Sequence, residues 1–93
     1  EDSLHIDTYF MSASGIDPVI GCTDLGFSEA NVQNQMRHAA RRTVVYADSS
    51  KFGRASLVRV CPIEEVDCII TDRGLSEEQK NAFMERGANL IIV

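Results

Sequence analysis

Residues 43–53 read Thr43-Val44-Val45-Tyr46-Ala47-Asp48-Ser49-Ser50-Lys51-Phe52-Gly53, an apolar run that turns abruptly polar at Asp48. β-Branched and aromatic residues favour extended backbone, so the run before Asp48 predicts a short buried strand. Asp and Ser are turn formers, which end such a strand. A strand with almost no polar positions is typical of a parallel sheet that is covered on both faces. The segment therefore predicts an α/β fold.

Helical and extended patterns alternate on either side of this segment. Residues 29–42 carry apolar side chains at helical spacing, with Ser28 as a candidate N-cap. Residues 76–79, Ser-Glu-Glu-Gln, form a capping box and Gly87 is a natural stop, so a second helix is predicted over 77–86. Further strands are predicted at residues 8–11, 57–60, 67–71 and 90–93, with one helical turn at 62–66.

These elements predict a three-layer α/β fold, with a mostly parallel open sheet flanked by helices. A long connection containing Gly15, Pro18 and Gly21 follows the first strand and predicts turns. The 93 residues allow one domain at most. Two helices are few for both faces of a five-stranded sheet, and the sequence does not begin with Met. We therefore expect residues 1–93 to be an incomplete domain.

Charge excludes some functions. Fourteen acidic and nine basic residues give a net charge of −5, so we expect no direct nucleic-acid binding by this segment. Six of the bases lie within residues 37–60, where they could concentrate a small anion. For Arg37, Arg41 and Arg42 we favour a simpler interpretation, in which they complement the dipole at the end of the first helix.

Several classes of site and location are also disfavoured. No apolar run approaches the roughly 20 residues of a membrane span, and the start, Glu1-Asp2-Ser3, lacks a signal peptide's basic residues, so we expect a cytoplasmic protein without membrane contact. Cys22, Cys61 and Cys68 have no metal-ligand or disulfide spacing, which predicts free, buried thiols and no metal. Neither His5 nor His38 is placed for nucleophilic catalysis, and phosphate-binding glycine motifs are absent. We expect no cofactor.

Ligands of open α/β sheets bind beyond the carboxyl ends of the strands. Two segments of this sequence directly follow a predicted strand and carry polar side chains, and we call them the first and the second junction. One follows the first strand and offers hydroxyls, carboxylates and flexible backbone, which suit sugar oxygens or a phosphate; an ordinary turn is the alternative. The other follows residues 43–47, where an ammonium beside hydroxyls suits a phosphate or carboxylate; the alternative is an exposed lysine in a turn capped by Asp48. The candidate ligand-binding residues are Ser14, Gly15, Asp17, Gly21, Thr23, Asp48, Ser50 and Lys51.

The order of motifs resembles the C-terminal sensor domain of DeoR-family bacterial repressors, and the resemblance covers essentially the whole chain. The matching motifs are Ser14-Gly15-Ile16-Asp17, Gly21-Cys22-Thr23-Asp24, Glu29-Ala30, the run ADSSKFGR over 47–54, and Ile70-Thr71-Asp72. The resemblance implies a sensor that binds a phosphorylated sugar or related metabolite and controls operator DNA binding by a winged helix-turn-helix. It also implies that this DNA reader and the first part of the sensor are not present in residues 1–93, and that the protein forms a homo-oligomer.

That sensor is in turn similar to ribose-5-phosphate isomerases and their CoA-transferase-like fold. Asp17 and Lys51 keep the character of the isomerase segments, whereas Ser14 stands where the isomerase loop has an acid. The isomerase lysine-glycine run is replaced by residues 19–22, Val-Ile-Gly-Cys. These departures imply binding without turnover, so no catalytic residue is assigned. The alternatives are a sugar-phosphate isomerase that uses Asp17 and Glu29, or a module whose main task is oligomerisation.

Overall fold

The computed structural model describes residues 5–93, so the acidic start of the chain lies outside the described residues. The described part has the strands β1 (Ile6–Ser12), β2 (Gly15–Asp17), β3 (Gly21–Asp24), β4 (Ala40–Tyr46), β5 (Val58–Cys61), β6 (Cys68–Thr71) and β7 (Leu90–Ile92). Its α-helices are α1 (Phe27–Ala39) and α2 (Glu77–Glu85). Short 3₁₀ helices cover Ser49–Lys51 and Ile63–Glu65, the latter within the helical turn predicted at 62–66.

The main sheet is parallel throughout and has the strand order β1-β4-β6-β7. Met11 lies opposite Val45, Val45 opposite Ile69, and Ile69 opposite Leu90, so these four apolar side chains share one face. The predicted α/β class, with a parallel sheet flanked by helices, is confirmed.

A second, antiparallel sheet with the order β2-β3-β5 corrects two expectations. The connection predicted as turns contains β2 and β3, because Ile16 and Cys22 are fully buried and pair directly with each other. The strand predicted at 57–60 exists as β5, but it pairs with β3 rather than joining the parallel sheet. The periodicity of a four-residue strand does not specify its partner, which explains this error.

The core joins both sheets and both helices. Ala30 is the buried residue of α1 and Phe83 that of α2, and both belong to one cluster with Met11 and Val45 of the parallel sheet. Phe83 also packs edge-on against Phe52, with ring centroids 5.1 Å apart. The segment after β4 is therefore anchored in the core by Phe52.

The ends of α1 differ from the prediction. Gly26 is the N-cap, without a side-chain hydrogen bond, and Ser28 lies inside the helix. The backbone becomes extended at Ala40, where β4 starts directly, so Arg41 and Arg42 lie in a strand and cannot complement the helix dipole. Arg37 does lie in the last turn of α1, where its guanidinium is 3.0 Å from the Glu65 carboxylate.

The ends of α2 match the prediction. The Ser76 hydroxyl accepts from the Gln79 N–H at 3.1 Å, and the Gln79 side chain accepts from the Ser76 N–H at 3.2 Å. Gly87 follows with φ +80°, the left-handed conformation that commonly ends a helix. Within residues 5–93, neither α-helix has the length and apolarity needed to cross a bilayer.

We predict that Gly21→Ala lowers the free energy of unfolding by at least about 2 kcal/mol. Gly21 has φ +104°, and an added Cβ would lie 2.2 Å from the Cys61 carbonyl oxygen of the paired strand. Gly87→Ala is the matched control, because φ is +80° there but nothing lies within 4 Å of the added Cβ. The control should cost about 1 kcal/mol in urea unfolding. Equal costs for the two variants would contradict the close approach of β3 and β5.

Candidate functional site

The segments that follow β1 and β4 meet at the carboxyl edge of the parallel sheet. The Gly53 N–H donates to the Ile16 carbonyl at 2.8 Å, and Ile16 and Phe52 form an isolated parallel bridge. Both junctions singled out from the sequence are therefore neighbours in space. Their role in ligand binding stays a prediction.

In the first junction, the segment that follows β1, most polar side chains form hydrogen bonds within the protein that fix the backbone. The buried Thr23 hydroxyl donates to the Gly15 carbonyl at 3.0 Å and accepts from the Ser56 N–H at 2.7 Å. Gly15 itself has no room for a side chain, since an added Cβ would lie 2.6 Å from the Arg54 carbonyl oxygen. The Ser14 hydroxyl donates to the Asp24 carboxylate at 3.0 Å. The hydrogen bonds of Thr23 therefore connect this junction to the segment that precedes β5.

Asp17 and Gly21 lie at the turn between β2 and β3. The Asp17 carboxylate accepts from the N–H groups of Val19 and Ile20, at 2.9 and 2.8 Å. Gly21 supplies the positive φ with which β3 begins. Both residues therefore have a local structural role in this turn.

The second junction forms the 3₁₀ helix Ser49–Lys51. The Asp48 carboxylate caps it by accepting from the Ser50 N–H at 3.0 Å, and it also accepts from the Ser50 hydroxyl. The capping role that the sequence allowed for Asp48 is confirmed. Lys51 is half-buried in the last turn of this helix, and none of the ion pairs found among residues 5–93 involves it. Its ammonium therefore has no carboxylate to compete with an anionic ligand in the described part of the chain.

Asp72, at the end of β6, positions the same 3₁₀ helix. Its carboxylate accepts from the Ser49 N–H at 3.0 Å and from the Gly74 N–H at 2.8 Å. These hydrogen bonds, joined by one from the Ser49 side chain, lower the pKa of Asp72 below its usual value. Asp72 was absent from the predicted site, although it follows its strand just as Asp48 follows β4. The rule that selects residues after strand ends would have found it.

A pocket of about 550 Å³ opens beside this junction, between the ends of β1 and β4 and the first turns of α1. We call it the edge pocket. It is lined by Tyr9, Phe10, Ser12, Asp24, Ser28, Glu29, Val32, Gln33 and Tyr46. None of the eight predicted residues lines it, and the exposed His5 and His38 do not line it either. Gln33, one helical turn after Glu29, was missed because the sequence does not reveal which face of α1 meets the sheet.

Asp24 and Gln33 organise the polar wall of the edge pocket. Asp24 is only 9% exposed, and its carboxylate accepts from the Leu25 N–H at 2.9 Å and the Gln33 amide at 3.4 Å, besides the Ser14 hydroxyl. The Gln33 amide also donates to the Ser12 carbonyl at 2.9 Å, and its oxygen accepts from the Tyr9 hydroxyl. Burial, assisted by Tyr46 and Asp24, raises the pKa of Tyr9, which keeps the phenol protonated as a donor.

The lining of the edge pocket contains two carboxylates, hydroxyls, an amide and aromatic rings, but neither Lys nor Arg. Carboxylates accept hydrogen bonds only, so this wall suits the hydroxyl donors of a polyol better than an anionic group. The segment after β4 carries a cation, Lys51, and the last residue of that strand, Tyr46, lines the pocket. A molecule with a hydroxyl-rich end and an anionic end fits this division of charge.

Comparisons with known proteins agree in pointing to one family. The family described as the DeoR C terminal sensor domain matches residues 2–73, which is more than half of the chain. The HTH-type transcriptional regulator IolR of Bacillus subtilis (strain 168) is 31% identical over 77 residues, covering 83% of this chain and 31% of its own.

Two further relatives have similar identities. The HTH-type transcriptional regulator GlpR of Haloferax volcanii is 30% identical over 90 residues, covering 97% of this chain and 35% of its own. The L-fucose operon activator of Haemophilus influenzae is 31% identical over 74 residues, covering 80% of this chain and 30% of its own. The chain spans about a third of the length of the curated relatives it matches.

We predict that Asp72→Asn removes an acid-sensitive contribution to stability. Because the pKa of Asp72 is lowered in the folded state, its ionised form stabilises the fold above the unfolded pKa of about 3.9. That stabilisation is lost as pH falls through the folded pKa. Melting temperatures of the variant should therefore lie below those of the wild type at pH 7 and converge with them toward pH 3. Glu78→Gln controls for the loss of one charge, because Glu78 is exposed on α2, and a gap independent of pH would contradict the assignment.

Proposed function

The chain belongs to the DeoR C-terminal sensor domain family, and we propose from this premise that it is the effector-sensing part of a transcriptional regulator of sugar metabolism. We propose a phosphorylated sugar or a related metabolite as the effector. The names of the relatives support regulation, and one names the operon of a sugar, L-fucose. The proposal assigns no catalytic step to the chain.

The observation that carries the proposal is the meeting of the two junctions beside the edge pocket. Lys51 and Ser50 would bind the anionic group, since an ammonium and a hydroxyl are suited to a phosphate. The hydroxyl-accepting wall of the pocket, with Asp24 and Gln33, would bind the sugar hydroxyls. The remaining predicted residues would support the same site indirectly, by fixing the backbone of β2, β3 and the segments beside them: Ser14, Gly15, Asp17, Gly21, Thr23 and Asp48.

A sensor is favoured over an isomerase. The isomerase alternative uses Asp17 and Glu29 as acid and base, but Glu29 lines the edge pocket and Asp17 does not. The Asp17 carboxylate is occupied by two N–H groups of its own turn. The relatives are transcriptional regulators, which also favours binding without turnover.

We further propose that the rest of the sensor completes the parallel sheet. β1 is an edge strand, and Phe10, Tyr46 and Ile91 share a sheet face on which they are 60%, 49% and 44% exposed. Both faces of a parallel sheet are normally covered. The occupant we propose is the first part of the sensor, preceded by the winged helix-turn-helix that contacts operator DNA. The relatives' length, about three times that of the matched region, supports this arrangement.

Binding of the effector can be tested on the protein extended upstream to the full regulator, in a thermal-shift panel of sugar phosphates and the matching free sugars. A ligand at 100 times its Kd should stabilise the protein by about 2.7 kcal/mol. We predict that one phosphorylated sugar does so and that Lys51→Gln weakens its affinity at least about tenfold, because a charge-assisted hydrogen bond is lost. Lys80→Gln is the matched control, since Lys80 lies on α2 and pairs with Glu77. Equal affinities of the two variants would remove Lys51 from the site, and no shift across the panel would contradict a sugar-phosphate effector.

The proposal that the rest of the sensor covers this face of the parallel sheet has its own test in the same extended protein. We predict that Phe10→Ala lowers the unfolding free energy by about 3–5 kcal/mol there, the cost for a buried Phe. Leu57→Ala is the control, because Leu57 is 79% exposed and lies outside the parallel sheet; it should change stability by less than about 0.5 kcal/mol. A cost for Phe10→Ala that rises with protein concentration would identify a second copy as the occupant. Equal small effects would mean that the face stays uncovered.

A further inference from the structure

Cys22 and Cys61 are far apart in the sequence and directly opposite each other in the fold. They are register partners on the antiparallel strands β3 and β5, and they are 0% and 2% exposed. Directly opposite residues of antiparallel strands have Cα atoms roughly 4.5–5.5 Å apart. A disulfide spans Cα separations of about 4.4–6.8 Å, so this position meets its backbone requirement. The two side chains are also close enough for each to have the largest effect on the pKa of the other.

The two thiols differ in their surroundings. Contact with the Cys22 side chain lowers the pKa of Cys61, and the guanidinium groups of Arg37 and Arg59 act in the same direction, against burial and Glu65. Contact with Cys61 and burial raise the pKa of Cys22. Arg37 is held in place beside the pair, since it is only 11% exposed and pairs with Glu65 at 3.0 Å. We assign the attack to Cys61, because the nearby guanidinium groups of Arg37 and Arg59 favour its thiolate, and the resolving step to Cys22.

Cys68 provides an internal comparison. It is 3% exposed and lies in β6, where its register partner on β4 is Val44. All three cysteines are free and buried, as predicted from the sequence. Burial alone therefore does not distinguish the pair from Cys68, whereas the opposite placement of two thiols does.

We propose that Cys22 and Cys61 are a redox-active pair, which hydrogen peroxide oxidises to a disulfide between β3 and β5. The Cys61 thiolate attacks one peroxide oxygen; the O–O bond breaks, a sulfenic acid forms, and the first water leaves after protonation. The Cys22 sulfur then attacks the Cys61 sulfur; the S–O bond breaks, the disulfide forms, and the second water takes the remaining protons. Two thiols lose two electrons in total, and one hydrogen peroxide becomes two waters.

Oxidation at this position would act on the candidate site. Thr23 and Asp24 follow Cys22 on β3, and the β3–β5 register is irregular between Cys22 and Thr23. A disulfide would hold this irregular pairing closed, and with it the Thr23 bridge to Ser56 and the Asp24 wall of the edge pocket. In a reducing compartment such a bond is transient, which is the expected behaviour of a redox-sensing disulfide.

The proposal can be tested on the full-length protein, reduced and then treated under native conditions with excess hydrogen peroxide. Unreduced peptide mapping should find the Cys22 and Cys61 peptides joined, with a mass about 2 Da below that of the two free-thiol peptides. Dithiothreitol should restore the free thiols. The melting temperature should rise on oxidation by on the order of 10 °C, since the bond closes a long loop.

Matched variants separate the pair from general thiol oxidation. Cys68→Ala should form the same joined peptides, whereas Cys61→Ala should not, and Cys22→Ala should stop at an oxygen adduct on Cys61. If either pair variant does not fold, the wild type and Cys68→Ala still decide the matter. Oxygen adducts on the wild type without joined peptides, or joining through Cys68, would overturn the proposal, as would thiols that stay reduced until the protein is denatured.

Discussion

Parallel pairing of β1 with β4, and of β4 with β6, is the constraint on which the candidate site depends. It brings the ends of three strands, at Ser12, Tyr46 and Thr71, to one edge of the sheet. The residues that follow can then contact one another although they are distant along the chain. Asp72 reaches the Ser49 N–H in this way, and Gly53 reaches Ile16. The edge pocket lies beside the same place because α1 crosses β1 and β4 there.

The small antiparallel sheet makes this edge rigid. Thr23 connects three pieces of chain through one buried hydroxyl, which contacts the Gly15 carbonyl and the Ser56 amide. A buried hydroxyl with both partners satisfied is costly to displace, so the loop after β1 is held against the segment before β5. The tight approach of Gly21 to Cys61 supports the same pairing from the other end of β3. Ordered backbone around a pocket lowers the entropy lost when a ligand binds.

Charge is divided across the site in a way that the net value of −5 conceals. The edge pocket has acidic and hydroxyl-bearing walls, whereas Lys51 lies in the neighbouring segment after β4. Separate places for hydroxyl donors and for an anion are what a phosphorylated sugar requires. This division of charge supports a phosphorylated sugar as the proposed effector class.

What the sequence by itself determined is what depends on neighbours a few residues away. The capping box at Ser76, the cap at Asp48 and the stretch 43–46 of β4 rest on such local contacts, and the family motifs are likewise read from contiguous residues. Tertiary structure alone decided that β5 pairs with β3, that Gln33 and Asp24 form one wall, and that Cys22 meets Cys61. These outcomes depend on contacts between residues far apart in the chain. A short strand is compatible with many partners, and packing of the whole core selects among them.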